Sequence, residues 1–367
     1  MKKQSFKEFY GREAASEVQQ GLLKENTLKD YKMFVYLKSK RFLWLLNKFP
    51  KNKIIRYLFL IHVNIISDYY FRKVVKSSNY QTILESIYNP INNCLKERNV
   101  DIKVNGVNDV SGWDWMNAEY TPWSFDQRIS VNSGICYFSH VLCRSLQPYI
   151  IDKQENRNNY KTLSWWFNRQ FRKSIVGIVT KNHFRALTGI FFIPEDESLL
   201  TGIESFVILH ELGHAYVSQT CPLLWPYEVQ PIANDIINAD EEKFADIFAV
   251  HTLCYMYKKD ESQKLLLFAP VFFFLINSWL EKEGLVSKPK SHPTSSVRMN
   301  YLKDEIQFLY PNVEYEQYSS ILNEVWESNK RRIIKQVNKF NASYSKYEYM
   351  LNKIVESVRK SIDNIVD

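Results

Sequence analysis

Apolar residues recur at helical spacing along most of the chain, and only a few short stretches depart from that pattern. Outside the middle of the chain, this spacing predicts the following helices: Leu28–Phe49, Ile54–Val75, Gln81–Lys96 and a pair within Glu316–Asp367. Pro50 and Pro90 are expected to interrupt them, because proline removes a backbone donor and clashes with the preceding turn. Both ends of the chain are therefore predicted to be helical.

The middle of the chain mixes strand and helix signals. Gln127–Ser133 and Ala186–Ile193 are short runs typical of strands. Residues 100–125, which include the polar run Val104–Gly112 with its two glycines, predict a loop or a short strand pair. The remaining periodic segments predict helices: Ile135–Leu146, Glu155–Lys173, Ser198–Ser218, Asp240–Tyr257 and Leu265–Leu280. Asn238 with Glu241 three residues later is expected to cap the helix that starts at Asp240.

Composition supports a folded, mainly helical protein. Hydrophobic residues make up 45% of the 367 positions, which is enough for a sizeable core, and Gly (10) and Pro (12) are scarce. We therefore predict a predominantly helical α+β fold with a small sheet. Its expected parts are a helical N-terminal region at residues 1–100, a central core at 101–305 and a C-terminal helical pair at 306–367.

Charge, cysteine content and hydropathy indicate which partners and which cellular compartment to expect. The net charge of +8 is spread along the chain, and no nucleic-acid-binding motif accompanies it. Five cysteines without a CxxC pair, and an N-terminus without an apolar signal region, favour a cytoplasmic protein. Ile54–Phe71 contains Arg56 and Asp68, and Leu265–Leu280 is short and contains Pro270, so neither is expected to span a membrane.

One motif carries chemistry, the H-E-x-x-H sequence within Val207–Val217. On a helix, His210 and His214 lie one turn apart on the same face and can bind one Zn²⁺ ion. Glu211 can then reach a water held by the zinc and act as general base. The flanking apolar residues predict a buried helix, in which imidazoles and a carboxylate need partners that a metal ion supplies.

A catalytic zinc site needs a third protein ligand, and the run DEEKFADIFA at residues 240–249 offers one. Glu242 is favoured as that ligand over Glu241, Asp240 or a histidine. Asp246, one turn further, is expected to orient a ligand histidine through its second ring nitrogen. The small residues Ala245 and Ala249, together with Gly213, predict a close approach of the two helices.

These residues resemble a known class of enzyme. The HELGH sequence followed by ExxAD is similar to the gluzincin metallopeptidases, in which an HExxH helix and a Glu-bearing helix share a zinc ion. Ser291–Leu302 (SHPTSSVRMNYL) resembles the element downstream of the ligand helix in CAAX prenyl protease and HtpX-like proteins. The resemblance covers about Gln127–Leu302 and implies a zincin-like core. The soluble ImmA/IrrE-like and Lit-like peptidases share the HExxH motif too.

The sequence therefore predicts a zinc-dependent endopeptidase that hydrolyses a specific intracellular protein or peptide. His292 and Arg298 are expected either to brace the ligand helices, by capping a helix and pairing with a buried carboxylate, or to stabilise the oxyanion. The strand at Ala186–Ile193 is expected to bind extended substrate. Two alternatives remain open: a non-catalytic protein that zinc stabilises as a scaffold or binding module, and a membrane-associated protease.

Overall fold

The structure is a computed structural model, and the chain is predominantly helical with one small sheet. The described residues are 15–69, 80–110, 118–120, 127–132, 135, 139, 150, 159–180, 198–220, 231–257, 264–287, 292–311 and 315–356. The predicted strand Ala186–Ile193 and nearly all of the predicted helix Ile135–Leu146 lie outside these residues. The α+β class expected from the sequence agrees with this content.

The helices follow the predicted order closely. They are α1 (Ala15–Lys48), α2 (Lys53–Tyr69), α3 (Tyr80–Glu97), α4 (Asn159–Val179), α5 (Ser198–Thr220), α6 (Pro231–Tyr257), α7 (Lys264–Lys282), α8 (Ser295–Leu309) and α9 (Tyr315–Ser345). Residues 348–356 are also helical and form the second member of the predicted C-terminal pair.

Two local predictions about helix ends are wrong. Pro90 lies inside α3 and does not break it. Asn238 does not cap α6, because that helix starts at Pro231 and runs through residue 238. Proline suits the first turn of a helix, where its missing N–H has no intrahelical partner. A longer α6 therefore places Glu242 in the interior of the helix and not in its first turn.

The sheet has three short strands, β1 (Gly106–Val110), β2 (Ala118–Tyr120) and β3 (Arg128–Asn132), in the order β1-β3-β2. The central strand β3 pairs in parallel with β1 and antiparallel with β2. The predicted strand at Gln127–Ser133 is confirmed as β3. The described strands within residues 100–125 are β1 and β2, but each pairs with β3, so they do not form the predicted pair with each other. Within the described residues, β2 forms one edge of the sheet.

The larger of two hydrophobic cores surrounds α5 and α7. Helix α7 is buried without interruption from Leu266 to Asn277, as expected of a core helix. A Cβ added at Gly202 of α5 would lie 2.5 Å from the Cβ of Ala269 on α7. The backbone of α5 therefore packs directly against the Ala269 side chain. Side chains from α3, the sheet, α4, α6, α8 and α9 complete this core. Helix α5, which carries the HExxH motif, therefore lies at its centre.

The smaller core joins the two ends of the chain. Helices α1 and α2 pack against the end of α9 and residues 348–356 through apolar side chains, among them Tyr31, Phe34, Val63 and Leu351. The ring of Tyr36 meets that of Tyr344 edge-on, with 4.9 Å between centroids. Among the residues described, no helix has both the length and the apolar character needed to cross a membrane.

Candidate metal centre

Helices α5 and α6 pack closely enough to bring their polar side chains together. A Cβ added at Gly213 would lie 2.7 Å from the Cα of Ala245 on α6. No side chain fits into that space without moving a backbone. Ala245 and Ala249 are fully buried. The close approach expected from Gly213 and the two alanines is therefore present.

Replacing Gly213 by Ala is expected to lower the free energy of unfolding by about 1–2 kcal/mol, although alanine favours helix by roughly 1 kcal/mol. The added methyl group must push α6 away from α5, so metal affinity should fall as well. Urea unfolding and metal titration measure both effects. Ser320→Ala, at an exposed position of α9, should stay within about 0.5 kcal/mol of the unchanged protein. Equal stability of the Gly213 and Ser320 variants would contradict this packing.

Three side chains from the two helices converge at one point. The Nε2 atoms of His210 and His214 lie 3.2 Å apart. The Glu242 carboxylate lies 3.4 Å from the first nitrogen through Oε2 and 3.3 Å from the second through Oε1. Each of the three side chains can offer one ligand atom, and these three atoms all lie within 4.8 Å of one another. His210 and Glu242 are buried, and His214 is nearly so.

The other nitrogen of each imidazole is held by a different carboxylate. Nδ1 of His210 lies 2.9 Å from Oδ1 of Asp246, and Nδ1 of His214 lies 2.7 Å from Oε1 of Glu241. Each ring is thus fixed with its Nε2 directed at Glu242. Carboxylates in this position set the orientation and basicity of metal-binding histidines.

Helix α8 anchors the carboxylate of Asp246. The guanidinium of Arg298 donates to both oxygens, at 2.8 Å from Nε and 2.5 Å from Nη2, and the Tyr301 hydroxyl also donates to Oδ2. Arg298 additionally lies 3.4 Å from Glu242 Oε2 and packs its guanidinium 4.3 Å from the centre of the Phe274 ring. Arg298 therefore braces the site, because it contacts both carboxylates of α6 and also lies 3.4 Å from Nδ1 of His210.

His292 also reaches the cluster. Its Nδ1 lies 2.7 Å from Glu242 Oε1, while 42% of its side chain remains exposed. It does not cap α8, because the N-cap residue is Thr294, which makes no side-chain capping bond. His292 is therefore a more exposed neighbour of Glu242 than the two helical histidines.

Glu211 is buried, and its carboxylate is hydrogen-bonded to the sheet and not to an imidazole. Its Oε2 accepts a hydrogen bond of 2.8 Å from the backbone N–H of Tyr120 in β2. Gln219, on the same helix, bonds Lys103 through both main-chain groups and also donates to the Tyr120 hydroxyl. The edge strand and the motif helix are thus joined at two points, one of which is Glu211.

The charges at the cluster favour a cation. Burial lowers the pKa of His214, but hydrogen bonds to Glu241 and Glu242 outweigh it and raise that pKa to about 10. Burial is likewise outweighed at His210, where Asp246 and Glu242 raise the pKa. Without a metal, the His214 imidazole therefore carries an extra proton at neutral pH. A divalent cation would have to displace that proton, so its affinity should increase with pH.

The donor atoms also fit zinc by their spacing. Two ligands about 2.0–2.1 Å from a tetrahedral zinc ion lie roughly 3.3 Å from each other, which is close to the separations of the Nε2 atoms and the Glu242 oxygens. Oε2 of Glu242 is buried, and its nearest nitrogens, in His210 and Arg298, lie 3.4 Å away without hydrogen-bond geometry. Such an atom is costly to bury unless something binds it. The residues therefore fit a zinc ion.

Comparison with known proteins adds no further information, since the chain matches no family model, no curated protein and no solved structure.

The sequence identified the motif residues, and the structure adds their neighbours. Six of the seven predicted site residues lie in one connected cluster, and the carboxylate of the seventh, Glu211, bonds to β2. Three contributors were not predicted: Glu241 as the partner of His214, Tyr301 on Asp246, and the N–H of Tyr120. Tyr301 follows Arg298 by three residues on α8, so helical spacing alone could have suggested it.

Proposed function

We propose that this chain is a zinc-dependent endopeptidase with a zincin-like core, acting on a protein or peptide. His210, His214 and Glu242 would hold the zinc ion. The main support for this proposal is that two glutamates of the site, Glu242 and Glu211, make different contacts. Glu242 faces both Nε2 atoms, whereas Glu211 faces a sheet edge and is not taken up by either histidine. A purely structural site has no use for the second carboxylate.

Zinc, when bound here, would polarise a substrate carbonyl and make a water molecule acidic enough to lose a proton near neutral pH. Glu211 would take that proton and deliver it to the nitrogen of the leaving amine. Asp246 and Glu241 would keep the two imidazoles oriented through their Nδ1 atoms. Arg298 would keep Asp246 ionised inside the protein.

The edge strand next to Glu211 is the best candidate for binding extended substrate. β2 pairs with β3, and the backbone N–H of Tyr120 in β2 donates a hydrogen bond to Glu211. A peptide that adds to a sheet edge uses backbone hydrogen bonds and tolerates varied sequences. A substrate strand beside β2 would place its peptide bonds close to the proposed base. The predicted strand at Ala186–Ile193 lies outside the described residues and stays a prediction.

The experiment compares new protein N-termini in cells that produce the wild type or Glu211→Gln, with zinc measured in both purified proteins. We expect zinc in both, and new N-termini only with the wild type, because the amide cannot take up the proton. Glu204→Gln is the matched control, since Glu204 is also buried on α5 but bonds Ser139 away from the histidines. Equal cleavage by wild type and Glu211→Gln would remove the catalytic proposal.

The contact between His292 and Glu242 favours a second candidate function. If His292 moved from the carboxylate onto the metal, four protein ligands would close the site, and the chain would be a zinc-stabilised scaffold. A catalytic site instead keeps a position for water. His292→Ala separates the two proposals, because zinc affinity should change little in an endopeptidase and fall strongly in a scaffold.

A further inference from the structure

Helix α2 carries two apolar faces, and only one of them is covered. Phe59, Val63 and Ile66 point into the smaller core. The opposite face carries the exposed side chains of Ile54, Leu58, Ile61 and Ile65, spaced by four, three and four residues as one helical stripe requires. Ile54 and Ile65, at the two ends of the stripe, are 71% and 64% exposed, and Leu58 and Ile61 between them are 47% and 40% exposed.

Exposed aromatic residues also occur at the end of α1, in the turn between α1 and α2, and on α2 itself. Trp44, Phe49 and Tyr57 are all largely exposed, and the amine of Lys48 lies 5.2 Å and 5.5 Å from the first two rings. We call the whole surface the hairpin face: Trp44, Phe49, Ile54, Tyr57, Leu58, Ile61 and Ile65. This many exposed apolar side chains on two neighbouring helices of a folded protein indicate a binding surface.

Positive charge dominates the sequence around the hairpin face, and Asp68, near the C-terminal end of α2, is the one acidic residue of that helix. Residues 38–67 contain no Asp or Glu, and their basic side chains are all exposed: Lys38, Lys40, Arg41, Lys48, Lys51, Lys53 and Arg56. The chain as a whole is less one-sided, with 48 basic and 40 acidic residues. The segment is therefore a local concentration of positive charge around an apolar stripe.

We propose that the hairpin face docks on the surface of an anionic phospholipid bilayer, with α2 lying in the plane of the interface. Acyl chains would accept the isoleucine and leucine side chains, and phosphate and carboxylate headgroups would meet the lysines and arginines. Tryptophan and tyrosine favour this boundary, and lysine can keep its amine among the headgroups while its carbon chain packs on apolar groups.

The same observations argue against a second copy of the chain as the occupant. Pairing two hairpin faces would bring two sets of seven basic residues together with no acidic residue in either segment to offset them. An anionic surface removes that repulsion. The proposal does not rest on the peptidase function, and it concerns a different part of the chain.

Vesicle sedimentation tests the proposal with the full chain. The probes are phosphatidylcholine vesicles with and without about one third phosphatidylserine. We expect binding to the mixed vesicles only, and weaker binding as salt is added, because salt screens the headgroup charge. Neutralising Lys51, Lys53 and Arg56 to Gln should weaken partitioning on the order of a hundredfold. Ile54→Ser with Ile65→Ser should weaken it by at least about tenfold.

Matched controls remove the same groups elsewhere. Arg331, Lys335 and Lys339 are exposed on α9, and changing them to Gln removes as much charge. Val297→Ser with Phe308→Ser removes exposed apolar surface from α8. Both controls should bind as the wild type does.

Three results would overturn the proposal. The first is no binding to the mixed vesicles, which would point to an acidic protein partner. The second is an equal loss of binding in the controls. The third is a wild-type dimer that Ile54→Ser with Ile65→Ser converts to a monomer, which would assign the face to a second copy.

Discussion

Replacing Glu242 by Ala is expected to reduce zinc affinity by at least about a thousandfold and to abolish proteolysis with it. Among the described residues, Glu242 is the one side chain that contacts both Nε2 atoms, and it supplies the negative charge at the centre of the cluster. Burial favours the neutral carboxyl, but the neighbouring imidazoles of His210, His214 and His292 hold the pKa of Glu242 well below its usual range. The group is therefore ionised and ready to bind a cation.

Zinc titration against a competing chelator, followed by measurement of bound metal, checks this expectation. Glu241→Ala is the matched comparison, since Glu241 is the neighbouring residue but touches only Nδ1 of His214. Loss of such an orienting carboxylate typically weakens metal binding by about 10–100-fold. If Glu242→Ala bound zinc as tightly as Glu241→Ala did, Glu242 would not be a ligand.

Arg298→Met should lower the free energy of unfolding by about 3–5 kcal/mol, the largest stability effect that we expect from one substitution. Asp246 is completely buried, and Arg298 is the cation that donates to both of its oxygens. Methionine fills much of the same space, so the loss comes from the unpaired carboxylate. Lys303 lies on α8 like Arg298 and pairs with the exposed Glu316 of α9. Lys303→Met, which breaks this pair, should cost about 1 kcal/mol or less.

The pH dependence of this loss has a defined sign. Burial raises the pKa of Asp246, but Arg298 and His210 outweigh it and lower the pKa to about 2. A carboxyl whose pKa is depressed on folding stabilises the protein above its unfolded value, near 3.9, and that contribution fades as pH falls towards 2. The difference between wild type and Arg298→Met in urea unfolding should therefore shrink below about pH 4. A constant difference from neutral pH to pH 3 would contradict the pairing.

The part of the site that lies within one helix could be predicted, because helical geometry sets the positions of its side chains relative to one another. His210 and His214 are one turn apart, so their shared face follows from the sequence spacing alone. The close contact of Gly213 with Ala245 was also foreseeable, since small residues on two helices permit close packing. The order of helices followed from apolar periodicity in the same way.

Contacts between distant segments could not be predicted from spacing. Glu241 and Glu242 are neighbours in sequence, and only the rotation of α6 decides that one meets Nδ1 and the other the two Nε2 atoms. The bond from Tyr120 to Glu211 joins residues 91 positions apart. Likewise, α2 is apolar on opposite faces, and periodicity does not tell which face packs against the C-terminal helix.

X-ray absorption at the zinc edge, on the purified wild-type chain, tests the account most directly because it identifies the atoms around the metal. The account predicts one zinc ion per chain, bound by two imidazoles and by oxygen from a carboxylate and water, with no sulfur. Three imidazoles without a water oxygen would place His292 on the metal and contradict a catalytic centre. A protein that binds no zinc would contradict the whole account.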